Sequence, residues 1–267
     1  MKELSVALAA AREGAAVILK YYGKTFKIKH KGEINLVTEV DEKAQAAIVA
    51  VIRRHFPKDA VLAEELDLSK TARAARRWIV DPIDGTTNFA HGYPRFCVSI
   101  GFEESGVLKA GIILDPVMKE TFSAVKGKGA FLNGKKIRVS KISKLKQALL
   151  VTGFPYDLYA AKTNNIPYFL HLMFKAQAIR RDGSAALNMA YIACGRFDGF
   201  WELGLSAWDV SAGILIIREA GGKVLTLKGK LAKVTDPAII AGNPKLCRIL
   251  IKECAKIKSQ SPRLPKS

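Results

Sequence analysis

Four carboxylates in this sequence stand at positions that a surface ion pair does not explain. Glu64 follows one apolar run and Asp81 follows another, while Asp84 lies in a Gly-Thr turn. Asp209 comes directly after Trp208, at the start of an apolar segment. Carboxylates at strand ends converge where α/β sheets place their ligands, and burying several together is costly without a cation. Because all of these donors are oxygens, the sequence predicts a Mg²⁺ or Mn²⁺ site rather than a Zn²⁺ site.

The turn that begins at Asp84 predicts a phosphate-binding element beside that metal. Residues 84–88 read Asp-Gly-Thr-Thr-Asn, and Asp84 and Thr86 are of the types that cap the start of a helix. Gly85 would let the backbone approach a ligand closely. The backbone amides of Gly85 and Thr86 would then point at an anion, which the helix dipole also favours.

Periodicity and turn residues predict the elements that position these side chains. Helices are predicted at 4–22, 38–56, 159–176, 184–194, 208–220 and 244–258. Strands are predicted at 59–63, 77–80, 97–103, 108–114, 120–125, 179–181, 198–202, 223–226 and 238–241. The three runs between 97 and 125 are expected to form an antiparallel meander.

The order of these elements indicates one catalytic unit of two intimately packed halves. Residues 1–145 are expected to form an α+β half that holds the antiparallel sheet and the metal and phosphate motif. Residues 146–258 are expected to form an α/β half, and residues 259–267, which contain two prolines, a flexible tail. This mixed α+β and α/β class implies sheets with helices between and outside them.

The composition limits the partners of the chain. The net charge of +19, from 43 Lys and Arg against 24 Asp and Glu, attracts anions such as nucleic acid, anionic lipid or phosphorylated metabolites. No apolar run approaches the roughly 20 residues that a bilayer span needs, and no signal peptide is recognisable, so we expect a cytoplasmic protein without a membrane partner. The four cysteines form no CxxC pair, which fits a reducing compartment.

Several motifs together resemble the inositol monophosphatase family, which belongs to the lithium-sensitive, metal-dependent sugar-phosphatase superfamily. They are Glu64-Glu65, Asp-Pro-Ile-Asp-Gly-Thr-Thr over 81–87, and Trp-Asp-Val-Ser-Ala-Gly over 208–213. Segments 180–187 and 195–202 are similar to the bacterial branch of that family. The resemblance covers nearly the whole chain. It implies a layered αβαβα fold, hydrolysis of myo-inositol monophosphate, and usually a homodimer.

The resemblance also implies roles for single residues. Two to three Mg²⁺ ions are expected, with Mn²⁺ as an alternative, and a third, weaker ion would lie near Glu64. The metal ligands would be Glu64, Asp81, the Ile83 carbonyl, Asp84 and Asp209. Thr86, hydrogen-bonded to Asp41, would help to orient and deprotonate the attacking water, with Glu64 as the other catalytic residue. The residues facing the substrate would be Asp84, Gly85, Thr86, Gly183, Ser184, Ala185, Glu202 and Asp209.

The mechanism that follows is in-line hydrolysis by a metal-activated water, with two ions roughly 3.5–4 Å apart that clamp the attacking and leaving oxygens. Fructose 1,6-bisphosphate and histidinol phosphate remain alternative substrates, and 3′-phosphoadenosine 5′-phosphate is the least favoured. Glu202 favours a hydroxyl-rich leaving group, because a carboxylate accepts hydrogen bonds from hydroxyls. An additional role in binding RNA or ribonucleoprotein also remains open, although the sequence contains no RNA-binding motif.

Overall fold

The computed structural model describes residues 1–26, 28–30, 36–64, 74–155 and 164–257. The helices are α1 (Lys2–Tyr21), α2 (Glu39–His55), α3 (Thr86–Ala90), α4 (Ile166–Met173), α5 (Ala185–Ala193), α6 (Ala207–Glu219) and α7 (Pro244–Cys254). The strands of the first half are β1 (Ile28–His30), β2 (Leu36–Thr38), β3 (Ala60–Ala63), β4 (Arg76–Asp84), β5 (Cys97–Glu104), β6 (Val107–Asp115), β7 (Glu120–Val125), β8 (Gly129–Leu132) and β9 (Lys135–Lys136). Those of the second half are β10 (Leu149–Thr152), β11 (Ala178–Arg180), β12 (Gly199–Leu203), β13 (Lys223–Thr226) and β14 (Ala238–Gly242).

Two large sheets organise the described residues. Seven strands form one sheet in the order β3-β4-β5-β6-β7-β8-β9, in which only β3 and β4 are parallel. Five strands form the second sheet in the order β11-β10-β12-β14-β13. The strands β1 and β2 form a separate antiparallel pair. The predicted meander is therefore confirmed as part of the larger sheet.

The helices form layers outside and between the two sheets. The helices α1 and α2 pack on one face of the seven-stranded sheet, and α5 and α6 lie between that sheet and the five-stranded one. The helix α7 covers the outer face of the smaller sheet. This order confirms the αβαβα fold. The helices α5 and α6 pack against strands that precede residue 145 and against strands that follow it. The boundary between two halves near residue 145 remains a prediction.

The helix α6 approaches the larger sheet closely because that sheet has glycines where the two meet. A Cβ on Gly101 would lie 2.5 Å from the Ser211 hydroxyl, and one on Gly111 would lie 3.1 Å from the Ala212 backbone. Such contacts leave no room for side chains between backbone and helix. The close packing fixes the start of α6, which carries Asp209.

Most predicted elements agree with the structure to within a few residues, with one exception. The helix predicted at 159–176 is shorter, because α4 ends at Met173 and a turn follows at Phe174. Residues 156–163 lie outside the described residues, as do the predicted tail at 259–267 and Glu65. The short strands β1, β2, β8, β9 and β10 were not predicted, since runs of two to four residues give little periodic signal. Among the described residues, no helix is both long and apolar enough to cross a bilayer.

Candidate active site

A cavity of about 630 Å³ brings together the candidate residues from both halves of the chain. Eight of them line it: Glu64, Asp84, Gly85, Gly183, Ser184, Ala185, Glu202 and Asp209. The other four are buried and do not form its wall: Asp41, Asp81, Ile83 and Thr86. The structure therefore separates the sequence-predicted residues into a set that lines the cavity and a buried set that does not.

The parallel pairing of β3 and β4 places Glu64 beside Asp81. Ala63 pairs with Val80, so the residues that follow, Glu64 and Asp81, are neighbours at the same edge of the sheet. Asp81 is 2% exposed, and its Oδ1 atom is buried without a hydrogen-bond partner. An unpartnered buried carboxylate oxygen is costly unless a cation contacts it. This atom is therefore a position where a metal ion fits.

An irregularity in the sheet separates Asp81 from Asp84. The pairing of β4 with β5 shifts register between these two residues, where Pro82 has no backbone N–H to donate. Gly85 then adopts a φ of 101°, and a Cβ there would lie 2.8 Å from the Arg95 carbonyl. Only glycine adopts this conformation readily and fits that space.

Asp84 caps a helix, but not the one that the sequence predicted. The helix α3 starts at Thr86 with no side-chain cap. The Asp84 carboxylate instead accepts hydrogen bonds from the start of α5. The donors are the Ser184 hydroxyl at 2.7 Å and the backbone N–H groups of Ala185 at 3.3 Å and Ala186 at 2.5 Å. The prediction that Asp84 and Thr86 cap α3 was wrong, because a partner distant in sequence offers Asp84 three donors.

Thr86 lies at the centre of a buried hydrogen-bond chain. Its hydroxyl lies 2.9 Å from Oδ1 of Asp41 and 3.0 Å from the Ile83 carbonyl, and both of these oxygens accept. Asp41 in turn accepts from the backbone and hydroxyl of Thr38, at 2.8 Å and 2.6 Å, in the capping box of α2. The start of α2 thus holds the Asp41 carboxylate, which orients the Thr86 hydroxyl.

Asp209 lies in the first turn of α6, on the cavity wall opposite the β4 residues. Its Oδ2 atom accepts the backbone N–H of Ser206 at 2.7 Å in a capping box. That bond fixes the rotamer and leaves Oδ1 for another partner. Burial raises the pKa of Asp209 to about 8, and the nearby Asp84 charge adds to this effect.

Glu202 forms another part of the wall, and the structure shows why it fits there. It is 9% exposed, and its Oε2 atom has no hydrogen-bond partner in the protein. A Cβ on Gly153, at the end of β10, would overlap the Glu202 carboxylate. Burial raises the pKa of Glu202 well above its usual range, and Asp209 and Asp84 raise it further. The protonated form of Glu202 can both donate and accept hydrogen bonds.

The electrostatics of Asp81 and Asp84 fit a cation. Burial raises the pKa of Asp81 well above its usual value, and the charges of Glu64, Asp84 and Asp209 contribute. Burial also raises the pKa of Asp84, although the donors from Ser184 and α5 oppose that shift. A divalent ion would offset this mutual repulsion. Among the described residues, however, no three His, Cys, Asp or Glu side chains are already arranged to hold a metal ion.

Several cavity residues were not predicted as functional. Asn88 donates to the Arg95 carbonyl at 2.6 Å and to the Asp182 carbonyl at 2.7 Å, which ties α3 to the turn at Gly183. Arg181 is the one cation among the described residues lining this cavity. Asn88 and Arg181 lie inside motifs that the sequence shows, so both could have been predicted as cavity residues from those motifs. Gly153 gives no such signal, because its importance comes from a tertiary contact.

Asp182 is next to the cavity but does not line it. Its Oδ2 atom lies 3.7 Å from Nη2 of Arg95 in an ion pair. Arg95 also donates to the Tyr191 hydroxyl at 2.7 Å. The side chain of Asp182 therefore supports the turn between β11 and α5.

Comparison with known proteins places the chain in one family. The sequence matches the inositol monophosphatase family over residues 2–259. It is 42% identical over 244 residues to a Synechocystis protein named inositol-1-monophosphatase, covering 91% of this chain and 85% of that one. It is 41% identical over 254 residues to a Pseudomonas aeruginosa protein named Nus factor SuhB, covering 93% and 94%. The solved inositol monophosphatase of Anabaena (Nostoc) sp. is 40% identical, with a TM-score of 0.88 and 97% of each chain covered.

Proposed function

We propose a specific reaction for this chain, which belongs to the inositol monophosphatase family and is therefore a phosphatase. The reaction is the Mg²⁺-dependent hydrolysis of myo-inositol monophosphate to inositol and phosphate. The observation that carries the proposal is the distribution of carboxylates around one cavity. Glu64, Asp84 and Asp209 line it in front of the buried Asp81, and Glu202 lies on another part of the wall.

The metal would be held by the same oxygens that the sequence suggested. These are the carboxylates of Glu64, Asp81, Asp84 and Asp209 and the carbonyl of Ile83. Carboxylate and carbonyl oxygens are the donors that Mg²⁺ prefers, and the unpartnered Oδ1 atom of Asp81 supports this assignment. When bound, Mg²⁺ acts as a Lewis acid that activates water and offsets the charge on the phosphate oxygens.

Thr86 and Asp41 would control the attacking water. Because the single proton of the Thr86 hydroxyl points toward Asp41 and the Ile83 carbonyl, its lone pairs are left to accept a hydrogen bond from water. That bond would aim the water oxygen at phosphorus. As the new P–O bond forms, the bond to the alcohol oxygen breaks in line with it. The attacking water gives up a proton and the leaving alcohol oxygen takes one up, so that one water molecule is added across the broken bond. The backbone around Gly85, next to the reacting phosphate, would bring N–H donors close to its oxygens.

The far wall of the cavity would select the alcohol. Glu202 would hydrogen-bond to ring hydroxyls, because its Oε2 atom has no partner in the protein. A second phosphate beside Glu202 and Asp209 would find carboxyl groups and no positive charge from them, which disfavours fructose 1,6-bisphosphate. Arg181 is the one feature of the described cavity wall that would favour that substrate. The surroundings of Glu202 thus favour a polyol over a bisphosphate.

A panel of phosphomonoesters tests the substrate. The purified chain with Mg²⁺ should release phosphate from inositol 1-phosphate with a higher kcat/KM than from fructose 1,6-bisphosphate or histidinol phosphate. The same assay with EDTA should show no release. A clear preference for histidinol phosphate would refute the inositol assignment while leaving the phosphatase chemistry in place.

The apolar surface of α4 supports a homodimer. Only Leu172 of this helix is buried, whereas Leu170 and Met173 are 47% and 44% exposed and the following Phe174 is 83% exposed. Adjacent exposed apolar side chains of this size mark interaction surfaces. A second copy of the chain is the occupant that we propose, in line with the resemblance described above.

A second candidate function is the binding of RNA or a ribonucleoprotein. The relative named Nus factor SuhB is about as similar to this chain as the one named inositol-1-monophosphatase, so identity alone does not separate the two functions. The net charge of +19 favours a polyanionic partner. A gel-shift assay over a salt series tests it, since electrostatic binding weakens steeply as salt rises. Absence of a shift at low salt would exclude this role.

A further inference from the structure

A second cavity, of about 460 Å³, lies away from the first, at the C-terminal end of α6. The hairpin between β5 and β6, the end of α6 and the segment 232–235 form its walls. Its charged lining residues are Arg77, Glu103, Lys126, Arg218, Glu219 and Lys233. The volume falls within the roughly 300–1,000 Å³ range of small-molecule sites.

Arg218 is the distinctive side chain of this cavity. One of its terminal nitrogens, Nη2, donates to the Ala232 carbonyl at 2.5 Å. Its Nε atom is buried and has no hydrogen-bond partner. No carboxylate among the described residues forms an ion pair with it, and burial lowers its pKa. A partly buried guanidinium that forms no ion pair is costly without an anion.

The other charges leave this cavity positive. Lys126 and Lys233 form no ion pair with any described residue. Arg77 is paired with Glu103 at 2.8 Å, so those two charges offset each other. Glu219 is the remaining carboxylate, and its two oxygens accept the backbone N–H groups of Gly127 and Gly129, each at 2.8 Å. Four cations thus face two carboxylates.

We propose that this second cavity binds a small phosphorylated anion, with Arg218 as its principal contact and Lys126 and Lys233 as further cations. A guanidinium presents several N–H donors in a fixed plane, which matches the oxygens of a phosphate group. Three cations without an ion-pair partner favour a dianion over a monocarboxylate. The volume leaves room for a small organic group attached to the phosphate.

A purely structural role for Arg218 accounts for only part of its contacts. Binding the Ala232 carbonyl would hold segment 232–235 against α6, and a cation in the last turn of a helix is favourable. Neither effect requires the two lysines at the same cavity. A bound anion would account for both lysines and for the remaining terminal N–H groups of the guanidinium.

Inorganic phosphate is a suitable probe, titrated into the metal-free, full-length protein in EDTA and followed by ³¹P NMR. Phosphate bound in the first cavity is common to the wild type and the variants, so the difference between them reports on the second cavity. Wild-type protein should bind phosphate, and Arg218→Met should weaken the binding on the order of tenfold, as expected for the loss of one charge-assisted contact. Arg53→Met, an exposed arginine on α2, is the matched control and should bind like the wild type.

Thermal denaturation of each variant shows whether it is folded. If Arg218→Met does not fold, Lys233→Met replaces it, with an expected weakening of at least about threefold. The proposal is overturned if wild-type protein does not bind phosphate in EDTA. It is equally overturned if the folded cavity variant binds phosphate as tightly as Arg53→Met does.

Discussion

Gly153 leaves the space that the carboxylate of Glu202 occupies. A Cβ at position 153 would overlap both oxygens of that carboxylate, although the two residues are far apart in the sequence. Gly153 and Glu202 lie at the ends of the neighbouring strands β10 and β12, where Thr152 pairs with Trp201. The shape of the substrate side of the cavity therefore depends on a residue without a functional group.

The substitution Gly153→Ala tests this relationship. The added methyl group should displace Glu202 and lower kcat/KM for inositol 1-phosphate by roughly tenfold, equivalent to about 1.4 kcal/mol of transition-state stabilisation. Steady-state kinetics measure the effect. In a Glu202→Ala background, the same Gly153→Ala change should have little further effect. Equal losses in both backgrounds would show that Gly153 acts by another route.

Asp84→Asn should abolish turnover. An amide has the size of the carboxylate but lacks its charge, so the metal affinity of Asp84 would be lost. One oxygen that accepts from the start of α5 would also be replaced by a donor. Phosphate release measures the loss, and circular dichroism checks the fold. Asp182→Asn is the matched control, because Asp182 pairs with Arg95 and does not line the cavity. The activity of this variant should differ from that of the wild type by less than about threefold, or under roughly 0.7 kcal/mol. Near-normal turnover of folded Asp84→Asn would contradict the metal assignment.

Mg²⁺ should stabilise the fold through the buried carboxylates. At a concentration about 100 times its Kd, an ion that binds only the folded state adds about 2.7 kcal/mol to the free energy of unfolding. Asp81→Asn should lose most of this gain. In EDTA, Asp81→Asn should unfold at a temperature at least as high as the wild type, because it removes a carboxylate that the neighbouring charges repel. Differential scanning fluorimetry with and without Mg²⁺ measures both effects, and an unchanged Mg²⁺ response in Asp81→Asn would rule out its role as a ligand.

Phe174→Glu should shift the chain from dimer to monomer. The side chain is 83% exposed beside the apolar face of α4, so a charge there would be buried at the proposed subunit contact. Size-exclusion chromatography with light scattering measures the mass. Met118→Glu, at a methionine 53% exposed in the turn between β6 and β7, should leave the mass unchanged. If the wild-type chain is a monomer, the proposed homodimer is wrong.

Glu253 should contribute a pH-dependent part of the stability. Its carboxylate lies 2.7 Å from Lys256, 2.9 Å from His171 and 3.3 Å from Lys175, joining α7 to α4. These groups, Lys256 first, lower the pKa of Glu253 from 4.5 to about 2. Because the folded-state pKa is the lower one, the stabilisation is complete above about pH 4.5 and is lost as the pH falls toward 2. Urea unfolding of wild type and Glu253→Gln should therefore differ at pH 6 and converge near pH 2. A constant difference over that range would disprove the ionic contribution.

The sequence by itself determined most of the helices and strands, the family motifs and the set of carboxylates around the cavity. Helices such as α2 and α6 could be predicted because their apolar residues recur at helical spacing and their caps are local. The acidic residues of β4 could be predicted as part of one site because carboxylates directly after apolar strands are chemically unusual, and their role as metal ligands remains a prediction. These signals depend only on residues that are close together along the chain, so they can be recognised in the sequence alone.

Only the tertiary structure decided which residues meet. It paired Asp84 with the start of α5 instead of α3, and it placed the Gly153 backbone against Glu202. It also collected Arg218 and two lysines around a second cavity from segments that show no common motif. The contacts of Gly153 with Glu202 and of Asp84 with α5 join residues roughly 50 and 100 positions apart. They form because the packing of sheets and helices brings distant segments together.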